Sequence, residues 1–109
     1  MEINKKDLNA TGIKFYIKHE GREVARAHLY LLRNDLHKQP FGFMEDVFIS
    51  EELRGKGMGT TLVQRVIEEA KTAGCYKLIC TSRHSKPKVH ALYEKLGFAD
   101  HGKEFRMNF

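Results

Sequence analysis

Apolar and polar side chains alternate through the first third of the chain in the manner of half-buried β-strands. Ile13, Phe15 and Ile17 are separated by polar or aromatic residues, which is the two-residue period of a strand with one buried face. A turn at 20–22 follows, and residues 23–32 then place small and branched side chains at every second position. The pattern predicts a β-hairpin.

Residues 41–49 form the third predicted strand. Strict alternation predicts that Phe43, Glu45, Val47 and Ile49 share one face, and that Met44, Asp46 and Phe48 share the other. Glu45 and Asp46 interrupt an otherwise apolar strand, where a carboxylate is costly unless it is paired or used. These two residues are therefore candidates for function.

The second half of the chain changes to helical spacing. Apolar pairs at Leu62/Val63 and Val66/Ile67 recur every three to four residues, and Gly74 is a natural end for the helix they predict. Residues 76–82 contain a short apolar run of strand length. A strand, a helix and a strand of these lengths imply a parallel, right-handed crossover.

A second helix is predicted from Pro87, a favoured first-turn residue, to Leu96, before Gly97. Segments 98–99 and 104–109 are predicted to close the sheet as one or two short strands. The fold class is therefore α/β (α+β), with a mixed sheet of about five to six strands and two main helices.

Length and composition limit the function classes. The 109 residues suit a single domain, 1–109, with a polar, loose lead-in at 1–12. No apolar run approaches the ~20 residues of a membrane span and no charged-then-apolar leader begins the chain, so a cytoplasmic protein without membrane partners is expected. Cys75 and Cys80 have a spacing that fits no common zinc pattern, so free buried thiols and no metal are expected.

The net charge of +5 is concentrated in the second half, where five basic or histidine side chains fall between Arg83 and His90. Such a cluster suits a ligand with several phosphates, although a solvated helix start explains it equally well. Aromatic residues that could stack on bases do not accompany these charges, so nucleic acid is disfavoured as a partner.

The most informative segment is Arg54-Gly55-Lys56-Gly57-Met58-Gly59, which lies between the third strand and the first helix. Glycines allow an anion to approach the unpaired N–H groups of a helix N-terminus. The segment fits neither the phosphate loop G-x-x-x-x-G-K-[ST] nor the dinucleotide pattern G-x-G-x-x-G. It fits [Q/R]-x-x-G-x-[G/A] through Arg54, Gly57 and Gly59.

This pattern resembles the acyl-CoA pyrophosphate loop of the GNAT acetyltransferases. Downstream, Ala91-Leu92-Tyr93-Glu94-Lys95-Leu96-Gly97-Phe98 resembles that family's C-terminal "LYEKLGF" segment. The Glu45-Asp-Val start is locally similar to glucosamine-phosphate N-acetyltransferases. The family's usual N-terminal helices, which wall the acceptor site, have no counterpart here, so an open site or one filled by a second subunit of a homodimer is expected.

The resemblance implies acetyl-CoA as co-substrate and an amine, on a small molecule or a protein, as acceptor. Pantetheine is expected along Val47, Phe48 and Ile49. Pyrophosphate is expected at the loop, and Lys86 stands where many relatives place an asparagine that contacts CoA. The cofactor residues implied in the loop are Arg54, Gly55, Lys56, Gly57, Met58, Gly59 and Thr60.

Tyr93 and Glu45 are the predicted catalytic residues. Tyr93 matches the family's tyrosine near the CoA sulfur and would donate to the departing thiolate; the alternative is a core tyrosine. Glu45 is the candidate base, helped by partial burial in its strand, while a water chain or an orienting role is the alternative. Some relatives keep a glutamate where this chain has Thr81.

The predicted function is acetyl transfer to an amine by direct attack. A covalent route would need a cysteine at a helix N-terminus beside a positioned base, and neither cysteine meets that condition. The alternative function is a non-catalytic acyl-CoA-binding or regulatory module.

Overall fold

The computed structural model describes residues 1–109 and contains four strands, two α-helices and one short 3-10 helix. In chain order they are β1 (Ala10–His19), β2 (Arg22–Leu32), β3 (Phe41–Ile49), the 3-10 turn Glu51–Leu53, α1 (Met58–Thr72), β4 (Leu78–Cys80) and α2 (Pro87–Lys95). The predicted hairpin, third strand and both helices are confirmed, and β1 begins three residues before Ile13. None of the helices has the length and apolar character needed to cross a membrane.

The strands form one mixed sheet in the order β1-β2-β3-β4. The first three are antiparallel neighbours, whereas β4 joins parallel to β3, so that α1 is the predicted crossover. The apolar stripe of α1 packs on one face of the sheet and creates the core. Its buried members are Ala25, Ala27, Leu29, Met44, Leu62, Val63, Val66 and Ala70.

Both helices end in the same glycine-dependent arrangement. After α1, Gly74 adopts φ 81°, and the Cys75 N–H donates to the Ala70 carbonyl at 3.0 Å. After α2, Gly97 adopts φ 104°, and the Phe98 N–H donates to the Tyr93 carbonyl at 3.0 Å. This is the Schellman motif, in which a left-handed glycine satisfies the last carbonyls of the helix.

The sheet has four strands, so the expectation of five to six is wrong. Residues 98–109 contain no strand, although Phe105, Met107 and Phe109 alternate as a strand would. The exposed fractions of these three side chains are 91%, 77% and 112%. Alternating apolar residues stabilise a strand only when one of its faces is buried, and that condition is not met here. Within the chain, nothing covers that face.

The strand predicted at 76–82 is reduced to the three residues of β4. Its ladder with β3 runs only from Gly42 opposite Leu78 to Met44 opposite Cys80. Beyond that point β3 continues for five residues while β4 has ended, so the two strands are no longer paired.

A β-bulge in β3 overturns the predicted assignment of its faces. Arg26 lies opposite Phe48 and His28 opposite Glu45, so β3 carries one residue more than β2 between these pairs. Asp46 adopts φ 49°, a left-handed conformation that is rare outside glycine. The extra residue changes which side chains share a face.

Met44 is consequently on the same face as Val47 and Ile49, and all three contact the core. Glu45, by contrast, is exposed on the opposite face, where Phe48 also lies against the Arg26 guanidinium. The predicted grouping of Glu45 with Val47 and Ile49, and of Met44 with Phe48, is therefore wrong. Alternation holds only while the ladder is regular.

Candidate active site

The separation of β3 from β4 opens a cleft of about 1040 Å³. One wall is formed by β2 and β3, including His28, Tyr30 and Glu45, and the other by α2 with the loop before it. One edge of β3 pairs with β2, and β4 pairs with the other edge only as far as Met44. Beyond Met44 that second edge faces the cleft without a neighbouring strand. Such an edge offers backbone hydrogen bonds to an extended ligand.

A smaller pocket of about 240 Å³ adjoins the cleft at the glycine-rich loop. Gly55 and Gly57 adopt φ 80° and 78°, which glycine tolerates without strain. The first bond of α1 runs from the Thr61 N–H to the Gly57 carbonyl at 3.1 Å, so the N–H groups from Gly55 to Thr60 have no backbone acceptor. Free N–H groups at a helix N-terminus are suited to an anion.

Most of the predicted cofactor residues meet at this junction. Val47, Phe48, Ile49, Arg54, Gly59 and Lys86 line the cleft, and Ile49, Arg54, Gly55, Gly57, Gly59 and Thr60 line the smaller pocket. Two residues line neither. Met58 packs against the core, and Lys56 is exposed at the loop. All the predicted cofactor residues except these two therefore line the cleft or the smaller pocket.

Arg54 is held at the junction of the two cavities by the strand that precedes it. Its Nε donates to the Ile49 carbonyl at 2.9 Å, and its guanidinium lies 6.0 Å from the centre of the Phe48 ring. The Nε bond leaves the terminal guanidinium nitrogens free to meet an anion.

Tyr93 lines the cleft from α2 and is half-buried. The Schellman turn brings Phe98 back against it, with the two ring centres 5.4 Å apart. Burial raises the pKa of Tyr93 to about 12, with a smaller contribution from Cys80 nearby. The hydroxyl therefore keeps its proton at neutral pH and is a hydrogen-bond donor in a fixed position.

Glu45 lines the wall opposite α2. It is exposed, so the partial burial that favoured it as a base is absent. The ion pair on this part of β3 is made instead by its neighbour Asp46, whose Oδ2 accepts from the Arg26 Nε at 2.8 Å. That hydrogen bond lowers the pKa of Asp46 and, in turn, raises the pKa of Arg26.

The basic cluster also faces the cleft in part. Arg83, Lys86 and Lys88 line it, whereas His84 is exposed outside the lining. His90 supports the backbone, because its Nε2–H donates to the Arg83 carbonyl at 2.8 Å. No group of three or more His, Cys, Asp and Glu side chains is arranged to hold a metal ion.

The cleft lining also includes residues that the sequence did not single out for the site, among them His28, Tyr30, Glu104 and Arg106. The first two are the polar positions of β2, which alternation marks only as solvent-facing. Glu104 and Arg106 come from the segment predicted to be a strand. Their hydrogen bond, at 2.6 Å, lowers the pKa of Glu104. No local signal could have placed these four together.

The two cysteines are free, as predicted, although they are half-buried rather than fully enclosed. Cys80 is the last residue of β4 and does not line the cleft. Burial raises its pKa to about 11 and also raises that of Cys75. At neutral pH both are thiols, which are weaker nucleophiles than thiolates.

The chain is similar to known acetyltransferases. The model of the Acetyltransferase (GNAT) family matches residues 2–98. A probable glucosamine 6-phosphate N-acetyltransferase from Oryza sativa is 38% identical over 93 residues, covering 83% of this chain and 53% of that protein. An aminoglycoside N(6')-acetyltransferase from Stenotrophomonas maltophilia is 31% identical over 78 residues, covering 72% and 50% respectively.

Among solved structures, an acetyltransferase from Agrobacterium tumefaciens described as putative superposes with a TM-score of 0.82 at 34% identity. The match covers 90% of this chain and 69% of that one. The chain spans about half the length of the two curated relatives.

Proposed function

Because this chain belongs to the GNAT acetyltransferase family, whose members use acetyl-CoA as co-substrate, we propose that it transfers the acetyl group of acetyl-CoA to an amine. The observation that carries the proposal is that the pocket at the free N–H groups of the glycine-rich loop adjoins the cleft lined by Tyr93, since Ile49, Arg54, Gly59 and Leu92 line both. A thioester with a pyrophosphate tail needs an anion site for the tail and a hydrogen-bond donor near the sulfur.

The co-substrate is proposed to lie along the unpaired edge of β3. Its pyrophosphate would meet the N–H groups from Gly55 to Thr60 and the positive end of α1, with Arg54 beside them. Its pantetheine amides would pair with the backbone from Val47 to Ile49, as an added strand does. This arrangement directs the thioester toward α2.

In the chemical step, the acceptor nitrogen attacks the acetyl carbonyl carbon and the carbon–sulfur bond breaks. The leaving thiolate has an ordinary pKa of ~8.5, well below the value of about 12 for Tyr93. Full proton transfer from the phenol would therefore be unfavourable. Tyr93 is proposed to stabilise the thiolate by a hydrogen bond and to keep its own proton.

Attack by the amine itself is favoured over an acetyl-cysteine intermediate. Neither cysteine lines the cleft, and the pKa of about 11 for Cys80 leaves very little thiolate at neutral pH. An enzyme that used it as a nucleophile would need to lower that pKa, and burial does the reverse.

The acceptor is proposed to be an amine carried on a sugar or a similar polar small molecule. The two curated relatives are named for glucosamine 6-phosphate and for aminoglycosides, both of which are amino sugars. The acceptor wall of the cleft has polar side chains suited to hydroxyl groups, among them His28, Tyr30 and Glu45. A cytoplasmic location stays a prediction from sequence.

The proposal is tested by incubating the protein with acetyl-CoA and a panel of amino sugars, polyamines and peptides while free thiol is measured. Amine-dependent thiol release is expected for at least one amino sugar. If calorimetry instead shows tight binding of CoA and no amine increases thiol release, the protein is a non-catalytic acyl-CoA-binding module.

The Glu45→Gln variant separates two roles for this carboxylate. Because Glu45 is exposed, we expect it to attract the acceptor's ammonium, an interaction of about 0.2–1 kcal/mol. The variant should then raise KM for the amine by up to about fivefold and leave kcat nearly unchanged. A fall in kcat that recovers at high pH, measured as a pH–rate profile, would instead identify Glu45 as the base.

A further inference from the structure

His28 is held in β2 with one ring nitrogen enclosed. Its Nδ1 is completely buried and has no hydrogen-bond partner, while the side chain as a whole keeps 23% of its surface exposed. The ring lies nearly parallel to the ring of Tyr30, with 8° between the two planes and 6.5 Å between the ring centres. A buried polar atom without a partner is uncommon in folded proteins and requires an explanation.

The carboxylate of Asp46 lies close to that nitrogen. Its Oδ2 lies 3.8 Å from Nδ1, slightly beyond a hydrogen bond, and the bulge in β3 directs it there. Arg26 fixes the same carboxylate and holds it ionised. An ionised carboxylate facing Nδ1 favours the imidazole tautomer that has its proton on Nδ1.

That tautomer leaves the Nε2 lone pair free, and the ring lines the cleft on the wall opposite Tyr93. Building on the proposed acetyl transfer, we propose that His28 takes the proton from the acceptor's ammonium, with Asp46 and Arg26 positioning its ring. The sheet then supplies the base and α2 the donor, with the thioester between them.

The proton balance of the step is complete. One ammonium proton passes to Nε2 of His28, and the neutral amine attacks the acetyl carbon. The new carbon–nitrogen bond forms as the carbon–sulfur bond breaks, and the remaining proton displaced from the nitrogen goes to the leaving sulfur. The products are an amide, the thiol of CoA and a protonated His28, which returns its proton to solvent.

An imidazole suits this task better than the exposed carboxylate beside it. Histidine is the side chain most often used as a general base in enzymes, whereas the Glu45 carboxylate is exposed and has no side chain that orients it. The ionisable groups near the ring on the neighbouring strands are Lys14, Arg26, Tyr30, Glu45 and Asp46. Those that line the cleft from its other elements are Arg54, Arg83, Lys86, Lys88, Tyr93, Glu104 and Arg106. Lys14 is itself paired with Glu23.

The test compares kcat/KM across pH for wild type, His28→Gln and Asp46→Asn. His28→Gln should lose about 10²-fold at neutral pH and approach wild type as pH nears the pKa of the acceptor amine. The Asp46→Asn variant should show a smaller loss of kcat/KM than His28→Gln. His19→Gln is the matched control, since His19 is exposed at the hairpin turn, and it should match wild type. Full activity of His28→Gln at neutral pH overturns the proposal.

Nitrogen-15 NMR of the imidazole tests the proposed tautomer of His28 independently of turnover. Neutral His28 is expected to carry its proton on Nδ1 in wild type, and to shift toward the Nε2 form in Asp46→Asn. A wild-type Nε2–H tautomer overturns the proposal even in a protein that acetylates nothing. If no amine causes thiol release but His28 carries its proton on Nδ1, the proposed function is rejected and the proposed tautomer is retained.

Discussion

The Tyr93→Phe variant is expected to lower kcat by on the order of 10²-fold, the effect of removing one positioned donor to a developing anion. The thiolate that leaves carries a full negative charge, and the phenol is the donor that α2 places in the cleft. Because the pKa of Tyr93 is about 12, its hydrogen bond is available throughout the physiological pH range. Steady-state kinetics with a saturating amine measure the loss.

The matching stability measurement separates catalysis from packing. Phenylalanine keeps the ring and its contact with Phe98, whose centre lies 5.4 Å away, so the melting temperature should stay within about 3 °C of wild type. Tyr16→Phe is the control, because Tyr16 is 55% exposed on β1 and outside the cleft. Unchanged turnover in Tyr93→Phe, or an equal loss in Tyr16→Phe, would place Tyr93 in the core only.

Gly59→Asp is expected to weaken CoA binding by roughly 10²-fold while stabilising the fold. A negative charge near the first turn of α1 interacts favourably with the helix dipole, by about 0.3–1 kcal/mol. The same charge, about 5 Å from a bound pyrophosphate, costs up to ~3 kcal/mol of binding. Calorimetric titration with CoA and thermal unfolding should therefore move in opposite directions.

Gly59 is a better position for this test than Gly57. A Cβ at Gly59 would meet only the Ile49 Cγ1, at 3.8 Å, whereas Gly57 has φ 78° and any side chain there is strained. Gly59→Asn is the control, because it has the same size without the charge and should retain most of the affinity. If the Asp and Asn variants bind CoA equally, the loop does not hold the pyrophosphate.

Local patterns in the sequence determined the elements that surround this site. The hairpin β1–β2 and the helices α1 and α2 each follow from a short periodicity with a clear end signal, such as Pro87 at the start of α2. The glycines of the loop were equally readable, because positive φ is a property of the residue itself. The pocket at the start of α1 was in this sense predictable.

Tertiary structure alone decided how the residues of the cleft meet. The extra residue at Asp46 in β3 places Val47 and Ile49 on the core face, opposite to the face that carries Glu45 and His28, and nothing local distinguishes a bulge from regular alternation there. Residues 98–109 likewise alternate as a strand but form none, since a strand exists only where a partner pairs with it.

Tyr93 and His28 illustrate the difference. Tyr93 stands in a segment whose sequence resembles that of related proteins, and its placement on α2 required only a helix. His28 belongs to no motif, and its environment depends on Asp46, which is distant in sequence and reaches it through the register of β2 and β3. Periodicity is a property of neighbours along the chain, whereas a site is formed by residues that only the folded backbone brings together.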